Sequence, residues 1–142
     1  MPIHPDLRWY YPIDWPLISR RIRYDRAKGR CEWCGRPDRI PISQLPDGRW
    51  FDEEQRRWRD DKGEEAPWPD FVEYTHVVLR RFVLSTAHLD HNPGNSRKDN
   101  LAALCQRCHL RHDRPEHGRR RAITIRLRRA LGDLFDGPHR RW

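Results

Sequence analysis

Four cysteines occur as two Cys-x-x-Cys pairs, Cys31–Cys34 and Cys105–Cys108, with 70 residues between them. A two-residue gap lets both thiolates of a pair reach one ion, and two such pairs close a tetrahedral four-sulfur site suited to zinc. Gly35, directly after Cys34, permits the tight turn this needs. Four thiolates leave no position for water, so the ion would be structural. A redox pair is the alternative for either half, but neither sits in a thioredoxin-like strand–helix context. The second concentration of reactive side chains is Ala87 to His112, AHLDHNPGNSRKDNLAALCQRCHLRH. Phosphodiester hydrolysis needs a base to activate water and a metal to neutralise charge on the phosphate and the departing oxygen. His88, Asn100 and His109 offer residue types for that work. Singly, any one of them could instead only hydrogen-bond in a small core; all three beside a zinc knuckle are harder to dismiss.

The elements that must position them are expected to be few. A chain of 142 residues fits one domain. Its hydrophobic share is 36%, and Pro and Gly contribute 20 residues, so the core should be small and a metal staple would offset that deficit. Of 29 Lys and Arg, only Lys28, Lys62 and Lys98 are lysines, against 21 Asp and Glu, for a net charge of +8. Arginine's planar fork suits phosphate, although an anionic partner of another kind would favour similar totals. Met1-Pro2-Ile3 leads into polar and aromatic sequence without an apolar segment, and no apolar run approaches membrane-spanning length. A reducing, cytoplasmic setting is therefore expected, with zinc favoured over disulfides and no membrane partner.

Residues 1–30 read as an N-terminal arm. Its prolines oppose one continuous helix, and Trp9, Tyr10, Tyr11 and Trp15 are expected to plug gaps in the domain rather than stack on bases. Within it, SRRIRYDRAKGR predicts a short helix with Ser19 as N-cap and Gly29 as stop. Residues 36–74 read as an acidic insertion between the two halves of the zinc site, opened by a Pro46-Asp47-Gly48 turn, with a short helix expected near Asp52 to Asp61. Thr75 to Ala87 is the best strand signal, Arg80-Arg81 marking either a hairpin turn or a solvated edge. A loop at Asn92-Pro93-Gly94-Asn95, an apolar run Leu101–Leu104 and a helix from Gln106 to Asp113, closed by Pro115, follow. A basic amphipathic helix is expected over residues 116–135. Ile123, Leu127, Ala130, Leu131 and Leu134 form its apolar face, and arginines cover much of the rest.

The run AHLDHNPGNSRKDNLAALCQRCHLRHD, with CEWC upstream, resembles the HNH endonuclease motif, in particular its zinc-ribbon-containing branch. The resemblance covers about 30 contiguous residues plus the upstream knuckle. It implies a small α+β fold: a ββα-metal (His-Me finger) core over residues 75–114, stapled by the four-cysteine zinc site and flanked by an irregular arm and a basic helix. It further implies that His88 is the general base, that Asn100 holds the loop and helps orient the base, and that His109 is a ligand of a catalytic divalent ion. Cys31, Cys34, Cys105 and Cys108 match the structural zinc ligands. The family usually places a metal-binding His or Asp immediately before the base, where this chain has Ala87. An alternative register takes Asp90 as metal ligand and His91 as base. Within the first register, Asp90 or His91 could replace the missing ligand through the loop. Magnesium or manganese would want the oxygen of Asp90, whereas an all-imidazole site would tolerate zinc or nickel.

These readings lead to one domain over residues 1–142, a metal-dependent, bacterial or phage-encoded endonuclease that holds DNA mainly through phosphate contacts. A protein partner could then supply sequence preference. The competing expectation is a catalytically weak or inactive zinc-ribbon module that binds nucleic acid. A protein-interaction module using the acidic insertion and the basic helix is the third.

Overall fold

The computed structural model describes residue 3 and residues 5–135, with side chains as far as residue 130. The chain divides into two compact units, residues 1–109 and 110–142.

The first unit opens with a 3-10 helix, Pro5–Tyr10, followed by helix α1, Trp15–Arg20, which runs directly into a π-helical turn, Arg21–Arg26. The N-cap is Asp14, with Pro16 in the first turn where its missing N–H costs nothing. Ser19, expected to cap the helix, is instead buried inside it, its hydroxyl 2.9 Å from that of Thr86. The polar residue preferred by local capping rules is consumed here by a tertiary contact. Gly29, at φ +71°, does end the turn as expected.

A four-stranded antiparallel sheet follows, in the order β3-β2-β1-β4: β1 Pro41–Gln44, β2 Trp50–Asp52, β3 Arg57–Arg59 and β4 Val78–Arg81. The helix expected near Asp52 to Asp61 is therefore a β-hairpin, with Trp50 opposite Arg59, Phe51 opposite Trp58 and Asp52 opposite Arg57. Alternation explains the difference. Trp50 and Asp52 are buried on one face of the hairpin, and Trp58, opposite Phe51 on the other face, is buried with Leu45 and Ala66. Asp52 is not a solvated helix-start acid. Its carboxylate accepts from the backbone of Glu54 and Gln55 and pairs with Arg59 and Arg30, closing the turn. Helix α2, Phe71–Tyr74, is held by a capping box between Asp70 and Glu73 and links the hairpin to β4.

The strand signal from Thr75 to Ala87 resolves into two strands in two sheets. β4 ends at Arg81, and β5, Leu84–His88, pairs antiparallel with β6, Leu101–Cys105, with His88 opposite Leu101 and Leu84 opposite Cys105. Neither reading of Arg80-Arg81 holds alone, because the chain changes sheets just beyond them. The two-stranded β5–β6 ribbon is the centre of the unit. Leu101 and Ala103 pack on Ile22, with Trp15 and Ile18 alongside. Ala87, Ala102 and Leu104 join the cluster that contains all four cysteines. The third core cluster, Leu45, Trp58 and Ala66, lies in the stretch read as an insertion.

Helix α3 spans Gln106–Phe135, its first turn belonging to the first unit. The expected break at Pro115 does not occur: the proline lies inside the helix. It removes one backbone bond, and the Arg- and Leu-rich sequence beyond it, with Glu116 paired to Arg119 and Arg120, continues the helix. Among the described residues no helix is long and apolar enough to cross a membrane.

Candidate metal centre and histidine site

The two knuckles are brought together by the β5–β6 ribbon. Cys31 and Cys34 sit in a turn closed by Gly35 N–H to the Cys31 carbonyl, 2.8 Å, and by Cys31 N–H to the Arg36 carbonyl, 2.9 Å. Gly35 stands at φ +77°, a conformation that favours glycine. Glu32, inside the knuckle, ties it to the ribbon. Its backbone N–H donates to the Ala103 carbonyl, its carboxylate accepts from Ala103 N–H, and Arg26 pairs with the same carboxylate at 2.7 Å. Cys105 ends β6 and Cys108 lies in the first turn of α3.

The four sulfurs all lie within 4.8 Å of one another, and each cysteine is buried and free of any disulfide. Metal–sulfur bonds of about 2.3 Å in a tetrahedron require sulfurs roughly 3.8 Å apart. Cys34 and Cys105 Sγ are 3.7 Å apart, far beyond a disulfide and close to that edge. The backbone N–H of Cys105 donates to Cys31 Sγ at 3.3 Å, a contact suited to a thiolate. The four thiols are close enough to hydrogen-bond with one another. A hydrogen bond from Cys105 draws Cys34 down to about 7 and Cys31 lower still, while Cys105 pushes Cys108 up. A divalent cation would displace those protons. Donor type, number, spacing and burial together fit a closed structural zinc site.

Beside this centre lies Arg36, with 0% of its surface exposed. Its Nη2 donates to the Gly48 carbonyl at 2.9 Å and to Asp61 at 2.8 Å, and its guanidinium lies over the Trp50 and Phe82 rings. Burial works against its charge, and the neighbouring Cys34 and Asp61 outweigh that cost and hold the guanidinium firmly protonated.

His88 ends β5 and is buried. Its ring stacks on Trp15 at 4.9 Å and 18° and meets the edge of Tyr11 at 5.6 Å. The N-terminal aromatics at these two positions thus pack into the domain as expected, whereas Trp9 is 92% exposed. Nε2 of His88 is enclosed and has no hydrogen-bond partner. Burial lowers the pKa of the imidazole; Asp90 opposes the shift and His109 adds to it, so both lie close enough to act on its charge.

Asn100, at the end of a 3-10 turn before β6, closes the loop that follows His88. Its Nδ2 donates to Asp90 Oδ1 and to the Asn95 carbonyl, both at 2.8 Å, and its Oδ1 accepts from Asp90 N–H at 3.1 Å. Its backbone carbonyl accepts from Leu89, next to His88. Asp90 is the hub of this loop. Besides Asn100 it accepts from Asn92 N–H and Asn95 Nδ2, and these contacts hold its carboxyl down at about 2, that from Asn95 weighing most. His91 follows at φ +59°, its N–H donating to the His88 carbonyl. His109 Nδ1 is 2.7 Å from Ser85 Oγ. Strand alternation puts Ser85 on the opposite face of the ribbon from His88.

The site residues named from sequence therefore fall into two groups, the joined cysteines and the histidine loop. For a second, catalytic ion the fit is incomplete. Both oxygens of Asp90 already accept bonds from the loop. Among the described residues of the first unit, the cysteines are the one group of three or more ligating side chains that converges. Sequence reasoning missed Arg36, Glu32 and Ser85. Glu32 carried a usable signal, an acid inside a metal knuckle; Arg36 and Ser85 carried none. Comparison with known proteins finds no matching family model, no matching curated protein and no matching solved structure.

Proposed function

We propose that the chain is a divalent-ion-dependent endonuclease of the HNH type, acting on DNA phosphodiester bonds with His88 as general base. The observation that carries this reading is the buried, unpartnered Nε2 of His88 at the end of the first strand of a β-ribbon that runs straight into a helix. Enclosed polar atoms without partners are rare in folded proteins, and a catalytic role is one of the reasons a fold keeps one. Strand end, loop and first helical turn supply His88, Asn100 and His109 in the order in which the HNH motif supplies base, loop residue and helical histidine.

In this reading His88 Nε2 takes a proton from water as the water oxygen bonds to phosphorus and the bond to the leaving oxygen breaks. Burial keeps the imidazole neutral near pH 7, the form a base requires. Asn100 holds the loop beyond His88 closed through Asp90 and Asn95. A bound divalent ion, to which His109 and Asp90 are the side chains offered, would neutralise charge on the phosphate and the departing oxygen. Tyr11 and Trp15 cover the imidazole, so turnover requires them to shift. Aromatic contacts are worth roughly 1 kcal/mol each beyond burial, small against substrate binding.

A second reading, a zinc module that binds nucleic acid without cutting it, is favoured by one observation. Ala87 stands where a ligand is expected, and Asp90, the nearest carboxylate substitute, is occupied by its own loop. Plasmid nicking with magnesium or manganese separates the two. His88→Ala is expected to abolish nicking while zinc content and fold persist. Loss of nicking in His91→Ala with His88→Ala unaffected would transfer the base to His91. A parent protein that binds DNA but cuts with no divalent ion would establish the binding module.

A further inference from the structure

We infer that the outer face of the N-terminal segment, from Arg8 to Arg21, is a landing site for single-stranded DNA. Trp9 and Tyr10 stack on unpaired bases, and Arg8, Arg20 and Arg21 meet the phosphates. The inference rests on the DNA part of the proposed function and needs no cleavage.

The segment has two faces with different work. Trp15, Ile18, Ser19 and Ile22, spaced as one face of a helix, lie against the β5–β6 ribbon: Trp15 stacks on His88, Ser19 meets Thr86, and Ile22 packs with Leu101 and Ala103. Tyr11 also reaches His88. The neighbouring rings are left in solvent, Trp9 at 92% exposure and Tyr10 at 61%. Single exposed apolar residues are ordinary, but a tryptophan almost wholly in water beside an exposed tyrosine has no explanation in the core.

Charge decides what this surface takes. Arg8, Arg20 and Arg21 are exposed, and among the described residues none of them is paired with a carboxylate. Arg26, Arg30, Arg49 and Arg59, by contrast, each hold an acid. Unpaired cations around free rings match a polyanion that also offers flat faces, and a base offers its face only where it is not stacked inside a duplex. The two rings do not form one apolar plane. They are consecutive in the 3-10 helix Pro5–Tyr10, where neighbouring side chains diverge by about 120°. A folded partner or a bilayer covers a continuous surface, whereas bases along a strand can meet diverging rings one at a time. The position also suits the histidine site. Tyr11, in contact with His88, is two residues from Trp9, at most about 7 Å of chain. A strand held by Trp9 and Tyr10 therefore lies next to the aromatic cover of the imidazole.

The test uses the full zinc-loaded chain with no magnesium or manganese added, so that binding is read without cutting. The probes are a labelled single-stranded DNA of about 16 nucleotides and the same sequence as a duplex. Trp9→Ala should weaken single-strand binding by about 10-fold and Tyr10→Ala by about fivefold or more, each changing duplex binding by less than about twofold. Trp9→Phe, which keeps a ring, should restore most of the loss. Arg20→Gln combined with Arg21→Gln should weaken both forms and lower the single-strand salt slope by about 0.7 per arginine. Single-strand binding unchanged in Trp9→Ala, or equal losses on both DNA forms, would overturn the inference while sparing the DNA reading. A parent that binds neither form overturns both. Sedimentation of the same proteins completes the test: a dimer that Trp9→Ala dissociates would assign this face to a second copy of the chain and overturn the inference.

Discussion

A proton-linkage measurement at His88 tests the environment that the whole histidine site depends on. Burial against Trp15 and Tyr11 lowers the pKa of the imidazole below its ordinary 6.5. In the unfolded chain the same histidine takes up a proton as pH falls through about 6.5, while in the folded protein it stays neutral to lower pH. The unfolded state then binds more protons, so stability falls as pH drops through the window between the unfolded and the folded pKa. Above about 6.5 the effect vanishes. One linked proton limits the slope to about 1.4 kcal/mol per pH unit, which for a unit of this size is roughly 4–8 °C in Tm per pH unit. The assay is thermal unfolding in matched buffers between pH 7.5 and 5.5, for the parent and His88→Gln. Both carry the same four cysteines and remaining histidines, so proton competition at those groups cancels in the difference. The parent should lose stability more steeply than His88→Gln below pH 6.5, and the two curves should run parallel above it. Parallel curves throughout would show that His88 is freely protonated in the fold, and the case for a neutral base under an aromatic cover would fail.

Four other outcomes follow from the same structure. Cys105→Ser should abolish stoichiometric zinc in metal analysis and expose the first unit to proteolysis, because the site joins the knuckle after the arm to the end of β6. Trp58→Ala, at a side chain 2% exposed, should cost about 3–5 kcal/mol in denaturant unfolding. Gly63→Ala should cost more than about 1 kcal/mol and weaken metal retention, since Gly63 stands at φ +89° and a Cβ there would lie 2.9 Å from the Cys34 carbonyl oxygen. On α3, Arg121→Gln and Arg126→Gln should each reduce the salt slope of DNA binding by about one unit while leaving zinc content unchanged, if these arginines meet phosphate.

The metal centre was legible because its information is local: two residues between cysteines, a glycine after the first pair, and a helix starting at the second. The succession of strand signal, short apolar run and helix, now β5, β6 and the start of α3, was legible for the same reason. The hairpin at Trp50–Arg59 was not. Its charged residues have the composition of a helix, and nothing local distinguishes Asp52, buried between two arginines, from exposed Glu53 beside it. Burial of a carboxylate is decided by Arg30 and Arg59, brought in from either side. Ser19 misled in the same way, since it has the chemistry of a cap but is claimed by Thr86 from a strand 67 positions along. Arg36 was one of many arginines, and only Gly48, Asp61 and the folded knuckle make it different from the rest.

The distribution of charge ties these observations together. Residues 31–109, which contain the metal centre, both sheets and the histidine loop, carry 12 basic and 14 acidic residues. Much of that charge is spent internally: Arg49 on Asp47 and Glu73, Arg59 on Asp52, Arg36 and Arg107 on Asp61, with Arg30 from just before this stretch also on Asp52. The acids of residues 36–74 are thus the partners of buried and half-buried arginines, and one of them, Asp61, anchors the residue beside the metal. A tetrathiolate centre makes this body more negative still. The surplus of +8 therefore comes from outside it. Residues 1–30 have seven basic residues against three acids, and residues 110–130 have eight arginines against Asp113 and Glu116. A body that is itself net acidic does not attract a polyanion. If DNA is the substrate, its phosphates must be held by the arm and by α3, and removing the basic residues of either should weaken binding while leaving the metal centre loaded.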